Sequence, residues 1–276
     1  MSNHHSPVIE FKPGMWGLKV NVFEVARRLL GKKLLNPAEV VAKRFLQIFH
    51  DHGIPTAQIP RLISKITLEK IQSTDTLVAA LSNEILDEAA DLFGVRRSWL
   101  DGDGDQIYDC YHCYKDPRRF FEDIKSLQID TFDWPLAAFC SVSTLDCKSV
   151  REQIIVPVFR EKCAKLGEQT IYRYRIYDDG WNWGYWKTRI QMKAMIRIWD
   201  KQFKAPVPVF RVSRKNLEGL LSGNLVPHAC YQRITRLMGF NLEDFSLFPH
   251  ESRVSKEPEE LAEVLEYIKA HKLEES

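Results

Sequence analysis

Between residues 74 and 100 the chain places apolar side chains at helical intervals. Leu77, Leu81, Ile85, Ala89 and Leu92 recur every three to four positions, with acids on the opposite face. The spacing predicts one long amphipathic helix over 75–93. Gly94 then sits where a helix end favours a residue tolerant of positive φ. Residues 95–100 predict one further turn, with Trp99 and Leu100 folding back as a lid. Upstream, Asn36 and Pro37 read as a helix start, Asn as the N-cap and Pro in the first helical position. That helix is predicted to run to about His52, burying Val40, Val41, Phe45, Ile48 and Phe49, with Gly53 as its stop. Residues 56–64 and 67–73 are candidates for a second and a third helix.

The second half mixes periods. Residues 170–177 (TIYRYRIY) alternate and are rich in β-formers, so they predict a strand. Asp178, Asp179 and Gly180 form the turn after it. Pro157 is expected to open a helix ending at Gly167. Residues 186–204 fit one helix face or one strand face; their length and composition favour a helix. A strand is predicted over 207–212, then a helix capped by Ser213 and stopped at Gly223. Asp116 and Pro117 begin a short helix through Ile124, and Trp134-Pro135 marks a break. The tail, 257–272, is helical, acidic first and basic last, as the helix dipole prefers.

The phrase LFGVRRSWLDG, residues 92–102, resembles the closing helices of lambda-repressor-like (Cro/XRE) helix-turn-helix domains. The resemblance covers roughly residues 36–102. It implies an all-α DNA-binding module whose second helix is 56–64 and whose recognition helix is 67–73. In that frame Leu68 and Ile71 face inward. Gln58, Lys65, Thr67, Lys70, Gln72 and Ser73 are the DNA-binding candidates, with Lys70 and Gln72 expected to read base edges, Thr67 and Ser73 to touch phosphate, and Gln58 in the place where the family often keeps a Gln for phosphate. The chain departs from the family pattern at Pro60 inside the second helix, in a short turn without glycine, and at Glu69, which repels phosphate.

Charge changes this picture. The chain has 276 residues, a net charge of +2, 45% hydrophobic residues and 28% charged ones, as expected of a globular protein with a real core. Residues 36–100 hold seven Lys/Arg against eight Asp/Glu, whereas 160–215 hold fourteen against five. The basic mass therefore lies outside the segment expected to read DNA. Within it, Arg189, Lys193, Arg197 and Lys201 form a ladder spaced by four, expected as an exposed surface for an acidic partner or nucleic acid. Trp181, Trp183 and Trp186, near Arg173, Arg175, Lys187 and Arg189, are candidate ligand or interface aromatics that could stack a base and hold its phosphate.

Other motifs weigh less. Asp101, Asp103 and Asp105 have the spacing of a calcium loop, but Gln106 stands where glycine is required and His112 where the bidentate glutamate belongs, so a solvated linker is the reading. Cys110 and Cys113 form a C-x-x-C whose partners, Cys140 and Cys147, lack zinc spacing. No metal, cofactor or catalytic set is assigned. No apolar run approaches the roughly 20 residues of a membrane span, and no signal pattern opens the chain, so a cytoplasmic protein with reduced cysteines is expected.

The sequence therefore predicts a multidomain chain: a basic arm and short helix over 1–35, an all-α helix-turn-helix domain over 36–125, an α+β domain over 130–250, and a helical tail over 251–276. Its local start and stop signals predict that 1–125 folds without the rest. The function expected is DNA binding in transcriptional control, with the α+β part sensing a small molecule, dimerising or adding nucleic-acid contacts, and with a small molecule or a protein as its possible partner. The alternatives are an adaptor that reuses the scaffold without touching DNA, and a nucleic-acid-processing enzyme with its site in the α+β part.

Overall fold

The first helix, α1 (Pro37–Asp51), starts and stops where the sequence predicts, and Gly53 turns the chain away at φ 73°. The computed structural model describes residues 36–125, 129, 134–232, 235–241 and 258–275; the basic arm over 1–35 lies outside them. The candidate second helix is instead a 3₁₀ turn, Thr56–Arg61. Pro60 lies within it, and a proline supplies no N–H to an α ladder and crowds the preceding turn. The candidate recognition helix shrinks to one 3₁₀ turn, Glu69–Ile71, because Ser73 is taken to cap the next helix. Leu68, expected inside, is 59% exposed.

The long helix predicted over 75–93 is two. The first, α2 (Thr74–Ala80), is held by a reciprocal capping box between Ser73 and Thr76. The second, α3 (Asn83–Phe93), begins after Leu81 and Ser82 turn extended. Ser82 and Asn83 compete with the helix for backbone bonds, and the Glu84 carboxyl is held below its usual range first by a hydrogen bond to Ser82. Gly94 closes α3 in the left-handed conformation, as expected, and α4 (Arg97–Leu100) folds Trp99 and Leu100 into the core. Arg44 on α1 fixes this end. Its guanidinium lies over the Trp99 ring at 5.3 Å and donates to the Trp99 and Gly104 carbonyls at 2.5 and 2.8 Å. The run Asp101, Asp103, Asp105 is thus a tethered surface loop, and no metal-holding cluster occurs among the described residues.

The remaining chain forms a mixed seven-stranded sheet. Its strands are β1 (Cys110–Tyr111), β2 (Leu136–Cys140), β3 (Ile154–Leu166), β4 (Gln169–Tyr177), β5 (Trp181–Asn182), β6 (Pro208–Arg211) and β7 (Thr235–Asn241). Their order is β1-β4-β3-β2-β6-β7, with β5 paired to β3. β1 runs parallel to β4 and β2 parallel to β6; the other pairings are antiparallel. The helix expected to open at Pro157 is strand β3. Ile154, Ile155, Val156 and Val158 favour the pleat. Pro157 falls between the stretch that pairs β5 and the stretch that pairs β4 from Val158 onward, so no second ladder asks for its missing N–H. Among the described residues five further α-helices follow: α5 (Pro117–Lys125), α6 (Trp186–Phe203), α7 (Arg214–Leu221), α8 (His228–Gln232) and α9 (Pro258–Ala270).

Alternation in the strands divides the core. Ala137, Phe139, Val156 and Val158 pack with Phe45, Phe49, Phe93 and Trp99 of the N-terminal helices. Leu136, Ala138, Cys140, Ile155 and Phe159 pack on the other side with α5, α6 and α9. The sheet is the middle of three layers. An α+β architecture is present, and the described residues from Pro37 onward form one compact unit. The boundary expected near 125–135 does not divide its core.

His52 joins two layers. It is buried, its Nδ1 lies 2.7 Å from the Ile48 carbonyl and its Nε2 lies 3.2 Å from the Tyr108 hydroxyl, while the ring stacks on Phe93 at 4.1 Å. Burial, outweighing the bond to Ile48, depresses its pKa to about 3.

Two outcomes follow from this packing. The unfolded chain takes up a proton on His52 below pH about 6.5 that the fold refuses until about 3, so this contribution to stability is complete above pH 6.5 and is lost as pH falls. Urea unfolding should show stability falling as pH drops below about 6.5, by roughly 1 kcal/mol per pH unit from this group, an effect absent in His52→Gln. Separately, residues 36–125 expressed alone should show no cooperative urea transition by circular dichroism, because the sheet face that buries Phe45, Phe49 and Phe93 is missing. A sharp transition there would restore an independent helical domain.

Candidate functional site

The tryptophan-rich turn separates by burial. Trp181 and Trp183 are about 1% exposed and belong to the core beneath α6. Trp186, the first residue of α6, is 51% exposed. It borders a cleft of about 280 Å³ lined also by Tyr114, Lys115, Lys187, Ile190, Gln191, Tyr267 and His271. Three segments far apart in the chain build it: the start of α6, the loop after β1, and the end of α9.

The loop is fixed from behind. Asp179 Oδ2 accepts from the amides of Cys113 and Tyr114 at 2.7 and 3.0 Å, and its Oδ1 lies 3.1 Å from His112 Nδ1. Gln191, buried on α6, accepts from the Lys115 amide and donates to the Cys113 carbonyl, both at 2.9 Å. Lys115 itself has φ 68°, a conformation that costs a non-glycine residue energy unless its surroundings hold it. These bonds hold it. They also set Tyr114 edge-on against Trp181, with centroids 5.6 Å apart.

On the opposite wall Tyr267 and His271 stack at 3.9 Å, and His271 Nδ1 lies 3.0 Å from the Tyr267 carbonyl. Burial, then the carboxylate of Asp116, pushes the Tyr267 hydroxyl up to about 12, so it stays a neutral donor. Lys115 and Lys187 each place their Nζ 5.4 Å from an aromatic centroid, Tyr114 and Trp186 respectively. Among the described residues no carboxylate lines this cleft. A second hollow of about 360 Å³, lined by Asp116, Pro117, Arg118, Ala270, His271 and Lys272, meets it at His271.

The thiols near this loop are pushed away from the thiolate form. Burial raises the Cys113 thiol, helped by the Asp179 charge, and raises Cys110 to about 12, helped by a hydrogen bond to Asp178. Asp179 accepts from the loop amides, and His112 Nδ1 lies 3.2 Å from Asp178 Oδ1 and 3.1 Å from Asp179 Oδ1. The site offers stacking faces, two cations, a hydroxyl and the imidazole of His271.

The other residues expected to act are placed differently. In the basic ladder Arg189 and Lys193 are buried, and both bind Glu260 of α9. Arg197 is half-buried, while Lys201 is exposed and pairs with Glu274 at 2.9 Å. The ladder is therefore no open face, because α6 is covered by a helix of the same chain. Arg173 pairs with Glu161 at 2.6 Å, and Arg175 donates to the Asp123 carbonyl at 2.9 Å, so neither serves a stacked base. Of the DNA-binding candidates, Lys65, Thr67, Gln72 and Ser73 are exposed, Gln58 and Lys70 half-buried. Lys70 donates to the Lys65 carbonyl at 2.8 Å, and Ser73 is committed to its cap. They lie on turns, not on a presented helix.

Tyr114, Lys115, Gln191, Tyr267 and His271 carried no signal in the sequence beyond the i, i+4 spacing of the last two. Compared with protein-family models, with curated proteins and with solved structures, the chain matches none. Among the described residues no helix is long and apolar enough to cross a membrane.

Proposed function

We propose that the chain is a ligand-binding regulatory protein whose α+β part takes a small planar anion in the Trp186 cleft. One observation carries this reading: an exposed tryptophan at the mouth of a cleft that joins two lysines, two further aromatic side chains and a histidine, with no lining carboxylate among the described residues. Large exposed aromatics are costly to leave in water, and a rigid loop fixed by Asp179 and Gln191 preorganises the cationic wall. The ring of the ligand lies against Trp186 or Tyr114, and its charge meets Lys115 and Lys187. The volume suits an aromatic carboxylate or a mononucleotide. The chemistry is recognition, and ligand binding is the input of a regulator.

Isothermal titration and tryptophan fluorescence with 4-hydroxybenzoate and with AMP test this reading. Saturable binding of at least one probe is expected. Trp186→Ala should weaken it by about tenfold, matching the roughly 1–2 kcal/mol of one stacking contact. Lys187→Ala should weaken it and flatten its salt dependence. No binding of either probe at millimolar concentration would overturn the reading.

A second reading, nucleic-acid contact by residues 61–73, has its own observation. Arg61, Lys65, Thr67, Leu68 and Gln72 are all exposed over this short stretch, with Leu68 an unburied apolar tip among polar groups. It keeps the DNA-binding regulator implied by the resemblance, with the turn rather than a helix meeting the duplex. Gel shifts on random duplex DNA at 50 mM salt should show binding that weakens steeply as salt rises and falls in Lys65→Glu. An absence of any shift at low salt would remove this second reading alone.

A further inference from the structure

Lys193 has no solvent exposure and Arg189 only 7%, yet both stand on the outer side of α6 and are covered by α9. Their carboxylate comes from that covering helix. Glu260 Oε1 accepts from Arg189 Nε at 2.9 Å and also from Nη2, while Oε2 accepts from Lys193 Nζ at 2.5 Å. Arg189 is aimed in advance, because its Nη1 donates to the carbonyls of Trp183 and Gly184 at 2.8 and 3.2 Å. Farther along, the Arg118 Nε donates to the His271 carbonyl at 2.8 Å and Lys201 pairs with Glu274. Between these polar anchors α9 lays down Leu261, Val264 and Ile268, spaced by three and four, all buried.

Two cations on one helix are not an interior by their own preference. With α9 away they face water and are hydrated, so undocking leaves no buried charge uncompensated. A buried ion pair adds little stability over apolar residues of the same volume, but it discriminates strongly among partners and registers. α6 therefore selects a helix bearing a carboxylate one position before an apolar stripe, without holding it irreversibly.

We propose that α6 is an acceptor groove for an acidic amphipathic helix, and that the chain's own segment 258–275 fills it as a displaceable latch. The latch opens while the sheet stays folded. Opening carries Tyr267 and His271 out of the wall of the cleft, so docking and occupation of the cleft favour one another. That coupling rests on the ligand reading above; the latch rests on the α6–α9 contacts alone.

Hydrogen exchange on the full-length chain tests it. Amides of 258–275 should exchange at least tenfold faster than those of β3, and faster still in 500 mM than in 50 mM NaCl, since salt screens the cations once they are exposed. Glu260→Gln should speed exchange in 258–275 several-fold further and leave β3 unchanged. Exchange of 258–275 in step with β3, in the wild type at both salt concentrations, would overturn the latch. A labelled synthetic peptide of residues 258–275, titrated onto full-length Glu260→Lys, should bind saturably, and a peptide carrying the same Glu260→Lys change should not. Equal binding of both peptides, or of neither, would overturn the selectivity assigned to α6. If 4-hydroxybenzoate or AMP binds the cleft without slowing exchange in α9, the coupling fails and the latch stands.

Discussion

Strand β2 sends Ala137 and Phe139 to one side of the sheet and Leu136, Ala138 and Cys140 to the other, and all five are buried. A strand apolar on both sides has to be covered on both sides. The N-terminal helices cover one side, α5 and α6 cover the other, and α9 is laid over α6. Each helical layer in turn lacks a core without the sheet: Phe45, Phe49 and Phe93 close against strand residues, and Met192, Ile196 and Trp199 do so from the opposite direction. The three layers therefore stand or fall together, and the helical segment belongs to one architecture with the strands that follow it.

Polar groups are used in this frame as fasteners. Arg44 ties α1 to the end of α4, His52 ties α1 to the β1 side of the sheet through Tyr108, and Gln191 and Asp179 hold the loop before α5. In each case one side chain reaches backbone groups or a hydroxyl on an element distant in sequence, and its burial makes the bond costly to break. Glu260 differs. Its carboxylate binds two cations of α6 from a helix 67 residues beyond Lys193.

The cleft depends on this arrangement at every wall. Trp186 is exposed because α6 begins there, just beyond Trp181 and Trp183, which are sunk beneath the helix. Lys115 faces it because Gln191 and Asp179 hold a left-handed loop in place. Tyr267 and His271 complete it because the tail helix docks. The cleft is the product of a stacked sheet, a loop held in a left-handed turn and the docked helix α9.

The sequence by itself determined α1 with its Asn36-Pro37 start, the Gly94 cap with buried Trp99 and Leu100, strand β4, helix α6 and the Ser213 cap, since each is set by neighbours a few residues away. It also placed Trp186 and Lys187 among the residues of interest. It misjudged 56–73 and 75–93, where Pro60, Ser73 and Ser82 break what the apolar spacing alone reads as longer helices. The strand at 154–166 was hidden because a proline signals a helix start locally, and only the pairing of β3 with β2, β4 and β5 shows that its nitrogen needs no partner there. The ladder of Arg189, Lys193, Arg197 and Lys201 is legible as one helix face. Whether that face meets water or a carboxylate is decided by Glu260, 67 residues beyond Lys193. Such choices belong to the tertiary structure because burial and charge pairing depend on which distant segment arrives, and local periodicity carries no record of it.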